Sequence, residues 1–277
     1  MFRISAFADE IGPDPVQQLD VLAQCGVRHL ELRSILGTNV LALTDAQVED
    51  LRSLLRQRGV TLSAIGSPIG KVPIDGSFED HLSKFERAIH LARLFEAPNI
   101  RVFSYYPPGD GPTWDGVDEK WHAEVFARMR RKAEIAEKAG VRLVHENEHR
   151  IYGDSPERVA RIFREAPSPT LRAAYDAANF VYGGFCPWEG WEMTRHLTVH
   201  FHIKDWRKGE KHGCLAGEGD GRWPEVLRDA RGYDGFATLE PHLLGGGPTG
   251  GHTGPELFPR AVEAFRKLLQ EAGLPWA

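Results

Sequence analysis

Four residues in this 277-residue chain have side chains and spacing suited to metal-assisted chemistry. They are Glu146 in VRLVHENEH, Asp176 in LRAAYDAANF, His202 in VHFHIKDW and Glu240 in GFATLEPH. Each stands at or near the end of a short apolar run. Three carboxylates brought together without a cation would repel one another and raise each other's pKa. Around a divalent cation the same set is a good donor shell. Carboxylate oxygens suit Mg²⁺ and Mn²⁺, and the imidazole extends the range to Co²⁺, Fe²⁺ and Zn²⁺. Any one of the four alone reads as an ordinary capping or rim residue; four in equivalent places of four consecutive units read as a site.

The neighbours extend this chemistry. Side chains alternate faces along a strand, so His200, His202 and Lys204 share one face. His202, nearer the strand end, is the expected ligand, and His200, deeper, a supporting residue. Lys204 is placed to meet a substrate oxygen or a carboxylate, and Asp205 to orient a ligand or cap the next turn. Glu148 shares the parity of Glu146 and is an alternative ligand; His149 beside it, like Lys204, is a candidate proton donor. Asn179, three residues past Asp176, can hydrogen-bond a substrate hydroxyl. Arg33 and Ser67 are further polar candidates, and Phe7, Phe103, Tyr105, Trp188 and Trp206 are candidate walls. GEGDGRW at 217–223 lacks the lysine of a phosphate loop and is expected at the mouth, with Glu218 or Asp220 toward substrate. GGGPTGGHTG at 245–254 reads as a lid, a subunit contact or a surface loop.

These residues need a scaffold that brings distant strand ends together. Apolar or β-branched runs predict strands at 3–8, 29–33, 61–65, 100–104, 141–146, 171–176, 199–204 and 236–240. Helical patterns lie between and after them, at 15–24, 45–58, 78–95, 119–139, 156–166, 189–197, 223–230 and 255–271. Thr44 and Ser155 stand at N-cap positions, with Pro156 opening its helix. Gly26, Gly59 and Gly140 mark helix exits. Eight strand–helix units match a (β/α)₈ TIM barrel, whose strand ends open onto one mouth. No GxGxxG follows the first strand, which reads AFADEIGPD, so an open dinucleotide-binding sheet fits less well. The whole chain, 1–277, is expected to form one barrel domain, with the metal site at the C-terminal ends of strands 5–8.

Composition agrees. Lys and Arg number 34 and Asp and Glu 39, a net charge of −5, which offers no bulk attraction to nucleic acid. No apolar run approaches the ~20 residues of a membrane span. The opening MFRISAFADE lacks a signal peptide's long apolar segment. With three widely spaced cysteines and no CxxC, a cytoplasmic location is the expectation. The sequence leaves homo-oligomerisation open.

FADEIG, HENEHRIYGD, YDAANF, HIKD and LEP, in that order, make the chain resemble the xylose-isomerase-like TIM barrel superfamily, in its sugar phosphate isomerase/epimerase branch. The resemblance implies one metal site formed by Glu146, Asp176, His202 and Glu240, with Mn²⁺ the first expectation and Mg²⁺, Co²⁺, Zn²⁺ or Fe²⁺ as alternatives. It also implies that Glu146 and Glu240 are the catalytic acid/base pair acting on a small sugar or polyol. Arg33, Ser67, Tyr105, His149, Asn179, Lys204 and Trp206 are then the candidate substrate-binding residues. Asn179 replaces a histidine usual in the family's ketose epimerases, and Lys208 an arginine, which argues against a ketohexose 3-epimerase. The related endonucleases need additional histidines for three zinc ions, so DNA cleavage is not expected.

The expected function is therefore that of a metal-dependent sugar or polyol isomerase/epimerase of carbohydrate metabolism, working through an enediolate. An inosose-like polyol dehydratase using the same site is one alternative, and a non-catalytic sugar- or metal-binding barrel is the other.

Overall fold

The computed structural model describes residues 1–247 and 250–277. Eight parallel strands close into a barrel: β1 Phe2–Ala6, β2 His29–Leu32, β3 Thr61–Ile65, β4 Asn99–Val102, β5 Arg142–Glu146, β6 Leu171–Asp176, β7 Thr198–Ile203 and β8 Gly235–Leu239. They follow sequence order around the barrel, and β8 returns to pair with β1. The helices are α1 Pro15–Gln24, α2 Asp45–Arg58, α3 Phe78–Leu94, α4 Glu119–Ala139, α5 Pro156–Glu165, α6 Ala177–Tyr182, α7 Pro187–Thr194, α8 Trp223–Asp229 and α9 Phe258–Glu271. This is the (β/α)₈ TIM barrel expected from the alternating pattern.

Local signals set the helix bounds. Thr44 and Gln47 form a reciprocal capping box at α2. Ser155 accepts from the Arg158 amide ahead of Pro156. Gly59 and Gly140 end α2 and α4 with φ of 64° and 72°, where a Cβ would be strained. Along α4, the buried Val125, Met129, Ala133 and Ala136 make one helical stripe. Such stripes pack on the outward face of the strands, each buried Leu or Phe contributing about 1.5–3 kcal/mol.

Two departures from the sequence reading concern the helices after β6. Residues 177–182, to which the sequence reading assigns no element, form α6, because the Asp176 carboxylate caps the amide of Asn179 at 2.9 Å. The helix expected at 189–197 is α7, which starts two residues earlier at Pro187. The last residues also tie down the first strand. β2 pairs with β1 only at Ser5 and Ala6; below that, Ala277 N donates to Phe2 O at 2.9 Å and Ile4 N to Ala277 O at 2.9 Å.

The barrel interior is polar where TIM barrels usually stack branched aliphatics. Ser5 and Ser63 hydroxyls meet at 2.6 Å, the Asn99 amide donates to Ser63 O at 2.9 Å, and His200 Nε2 lies 2.8 Å from Thr238 Oγ1. Those polar layers lead up to the site.

Candidate metal centre

At the C-terminal mouth of the barrel, one donor atom each from Glu146, Asp176, His202 and Glu240 falls within 4.8 Å of all the others. Glu146 and Asp176 are the last residues of β5 and β6, His202 is the penultimate residue of β7, and Glu240 follows β8 directly. His202 Nδ1 lies 3.0 Å from Glu146 Oε1 and 3.8 Å from Glu240 Oε2. All four side chains are buried. Above them opens a cavity of about 910 Å³, lined among others by Arg33, Lys71, Arg101, Asn179, Lys204 and Trp206.

Each donor has a second partner that fixes its orientation. Glu146 gives its other oxygen to Arg101, 3.1 Å away, and Glu240 gives its own to Arg33 at 2.6 Å. Arg33 also reaches Asp9 at 2.8 Å. Both guanidinium groups lie over the Phe7 ring, 4.3 and 4.9 Å from its centroid. Asp176 Oδ1 is held by the α6 amide, and Asn147 brackets the Asp176 backbone with bonds of 2.8 and 3.0 Å. His202 turns Nε2 toward Glu31 Oε2 at 3.2 Å, and the same oxygen meets His200 Nε2 at 2.8 Å. A carboxylate behind the imidazole fixes the tautomer that points Nδ1 at the cluster.

The electrostatics follow from burial set against these partners. Burial pushes the Glu146 carboxyl upward, but His202 and Arg101 overcome it and hold Glu146 below its ordinary range. Burial likewise opposes ionisation of Glu240, and Lys204, His242 and Arg33 hold it well below. Asp176 is pushed up to about 6, by burial and by Glu146 and Glu240, against the pull of Lys204. Burial disfavours a charged His202, yet Glu146 and Glu31 raise it to about 10.

The donor set fits a divalent cation. Asp176 Oδ2 and His202 Nδ1 are buried and make no hydrogen bond. Lys204 Nζ lies 2.9 Å from the first and Glu146 Oε1 3.0 Å from the second, close but misaligned for hydrogen bonding. A cation needs lone pairs facing inward, which Oδ2 and a deprotonated Nδ1 would present.

Of the expected substrate-binding residues, the structure brings Arg33, Asn179, Lys204 and Trp206 to the cavity. Arg33 is committed to Asp9 and Glu240, and Asn179 donates to Glu146 Oε1 at 3.2 Å and to Asn147 O at 2.9 Å. Three others lie outside the cavity lining. Ser67 is fully buried and spends its hydroxyl on Arg101 O at 2.5 Å. Tyr105 turns at φ 75° into the packing beside His81 and Lys132. His149 is exposed and packs edge-on against Tyr182, outside the cavity lining. Trp188 lies under Arg222 and is also absent from that lining.

Glu148 does not join the cluster; it lines the cavity and pairs with Lys71 at 2.9 Å. The 217–223 loop, by contrast, does not line the cavity, because Asp205 accepts the amides of Gly217, Gly219 and Gly221 and folds the loop onto itself. Of the glycine-rich stretch, Gly246, Gly250, Gly251 and His252 line the cavity; Pro248 and Thr249 lie outside the described residues.

Glu31, Arg101, Asp9, Glu10, Lys71, Asn147 and His242 were not singled out in the sequence. A signal existed for two of them. Glu31 in HLEL and Arg101 in NIRV are charged residues flanked by Leu, Ile and Val in strands, and a strand buried on both faces has room for a charge only if it is paired.

The model of the xylose isomerase-like TIM barrel family matches residues 19–268, and the chain belongs to that family. No curated protein matches it in sequence. Among solved structures it is similar to a D-tagatose 3-epimerase-like protein, with TM-score 0.78, 18% identity and 98% of each chain covered. It is similar to the probable 3-DHS dehydratase AsbF of petrobactin synthesis from Bacillus anthracis (TM-score 0.76, 16% identity, 96% of this chain and 99% of that one). A third is a xylose isomerase-like barrel from Mycobacterium smegmatis in complex with magnesium, with TM-score 0.73, 17% identity, and 98% and 97% covered. At these identities the likeness is one of fold. Among the described residues, no helix is long and apolar enough to cross a membrane.

Proposed function

We propose that this barrel domain, spanning 1–277, is a divalent-metal-dependent isomerase or epimerase of a small sugar or polyol. The observation that carries the reading is the symmetric support of Glu146 and Glu240. Each turns one oxygen toward His202 Nδ1, each gives the other to an arginine, and they come from strands separated by two others. Two carboxyl groups approaching one point from different sides, one ionised to take a proton and one protonated to return it, are what proton removal and return at a carbon centre require.

Glu146, Asp176, His202 and Glu240 would hold the cation, with Mn²⁺ the first choice. When bound, it supplies Lewis-acid polarisation of a substrate carbonyl and stabilises the negative charge that develops on oxygen. The chain does the rest. Glu146, kept ionised by His202 and Arg101, takes the proton from the carbon next to the carbonyl, leaving an enediolate. Glu240, ionised at rest, first accepts a proton and then delivers it to the opposite face or the adjacent carbon, while Glu146 passes the proton it took to solvent. His242 Nε2, 3.3 Å from Glu240 Oε1, is the ring nitrogen beside it that can hand over that proton. Asn179 and Trp206 help line the space a polyol would fill.

Dehydration is the second reading, because Lys204 lines the same cavity and can protonate a leaving hydroxyl. His149, the other expected donor, is outside it.

The test is incubation with Mn²⁺ and a panel of ketoses and keto-polyols in D₂O, followed by proton NMR. Exchange at the carbon next to the carbonyl, abolished in Glu146→Gln and in Glu240→Gln, is the expected result. A dehydrated product would move the assignment to a lyase. Tight cation binding with no exchange on any substrate would identify a binding barrel instead.

A further inference from the structure

Lys204 follows β7, two residues beyond His202, and its side chain is about as buried as those of the carboxylates it meets. Its Nζ lies 2.9 Å from Asp176 Oδ2 and 3.5 Å from Glu240 Oε2. These are the cluster-facing oxygens, since Asp176 Oδ1 is held by the Asn179 amide and Glu240 Oε1 by Arg33. The ammonium therefore stands against the oxygens that a cation would use.

We propose that Lys204 is a built-in counter-cation that competes with the metal for Asp176 and Glu240, so that metal loading displaces its ammonium into the cavity. This rests on the metal-site reading above. Three buried carboxylates cannot sit together without compensating positive charge, and in the metal-free protein Lys204 provides part of it. A divalent ion at the same oxygens would face a like charge a few ångströms away, so the ammonium has to leave. A lysine side chain has the flexible stem to do so. The same cavity holds Glu148, which is a carboxylate outside the cluster, and the space for a substrate. Lys204 then offers its charge to a substrate oxygen only after the cation is in place, which makes binding ordered: metal first, sugar second.

The experiment is calorimetric titration of Mn²⁺ into the full chain after chelator treatment, for wild type, Lys204→Met, Lys204→Gln and Asp176→Asn. Folding of each variant is checked by its thermal transition. Removing the competing ammonium is expected to tighten Mn²⁺ binding roughly tenfold or more, within the range of ordinary site–site coupling. Both lysine variants should show it, so failure of one to fold leaves the other as the test. In crystals of the Mn²⁺-loaded wild type, Nζ should stand beyond hydrogen-bonding reach of Asp176.

Unchanged or weaker Mn²⁺ binding in the folded lysine variants, with binding still abolished by Asp176→Asn, would overturn the counter-cation and leave the metal site standing. Absence of Mn²⁺ binding in every protein, lysine variants included, would overturn both.

Discussion

Arg33 Nη1 lies 2.6 Å from Glu240 Oε1, although the two residues are 207 positions apart. Barrel closure makes them neighbours: β2 and β8 flank β1, and both residues lie just beyond the ends of their strands. The same guanidinium holds Asp9 at 2.8 Å. Arg33 therefore orients a proposed catalytic carboxylate and neutralises part of a buried acidic rim.

Arg33→Met should be costly in two separable ways. Asp9 and Glu240 would be left as buried or nearly buried charges without their partner, a loss of about 3–5 kcal/mol, readable in urea unfolding. Exchange activity should fall as well, with the loss in kcat exceeding that in substrate affinity, since Glu240 loses its orientation. Unfolding indistinguishable from wild type would show the pair to be without weight.

Glu31 supports the imidazole from behind. Its carboxylate meets both His200 and His202 and is held well below its ordinary range, burial being outweighed by the two histidines. Glu31→Gln keeps the shape but removes the charge that fixes the tautomer. Cation affinity should drop about 10- to 100-fold, as outer-shell substitutions typically do. Equal affinity measured by calorimetry would exclude a supporting role.

Two buried histidines set an acid limit on stability. Burial, and then Lys132, lower both His81 and His145 to about 3. The unfolded chain binds these protons near pH 6.5 and the folded chain does not. Stability is therefore full above pH 6.5 and falls toward pH 3, by about 1.4 kcal/mol per pH unit for each histidine. Denaturation of His145→Leu at pH 7 and pH 5 should show a smaller loss than wild type over that interval. An identical loss would mean that His145 carries no such penalty.

Much of the scaffold could be read directly from the chain. Apolar runs, the Thr44–Gln47 box, Ser155–Pro156 and the glycines at 59 and 140 are local signals. A helix or strand is decided mainly by residues within a turn or two of one another. The convergence of Glu146, Asp176, His202 and Glu240 was also legible, because each lies at or beside a strand end, where parity and position still determine direction. Past those ends the rule failed. Tyr105 and Arg150 take positive φ, and such turns redirect the side chains around them; Tyr105 and His149 consequently miss the cavity. Asp205 caps the 217–221 loop through its amides, and Ser67 donates to Arg101 O on β4 instead of a substrate.

The sequence by itself determined the alternation of strands and helices and the four strand-end residues that converge, because those follow from local geometry. Only the tertiary structure decided who stands behind the donors. Glu31 supports a histidine 171 residues away, Arg33 a carboxylate 207 away, and Arg101 a carboxylate 45 away. Pairings of that kind are set by how the closed barrel brings strand ends together, and a buried charge settles only where closure supplies its opposite.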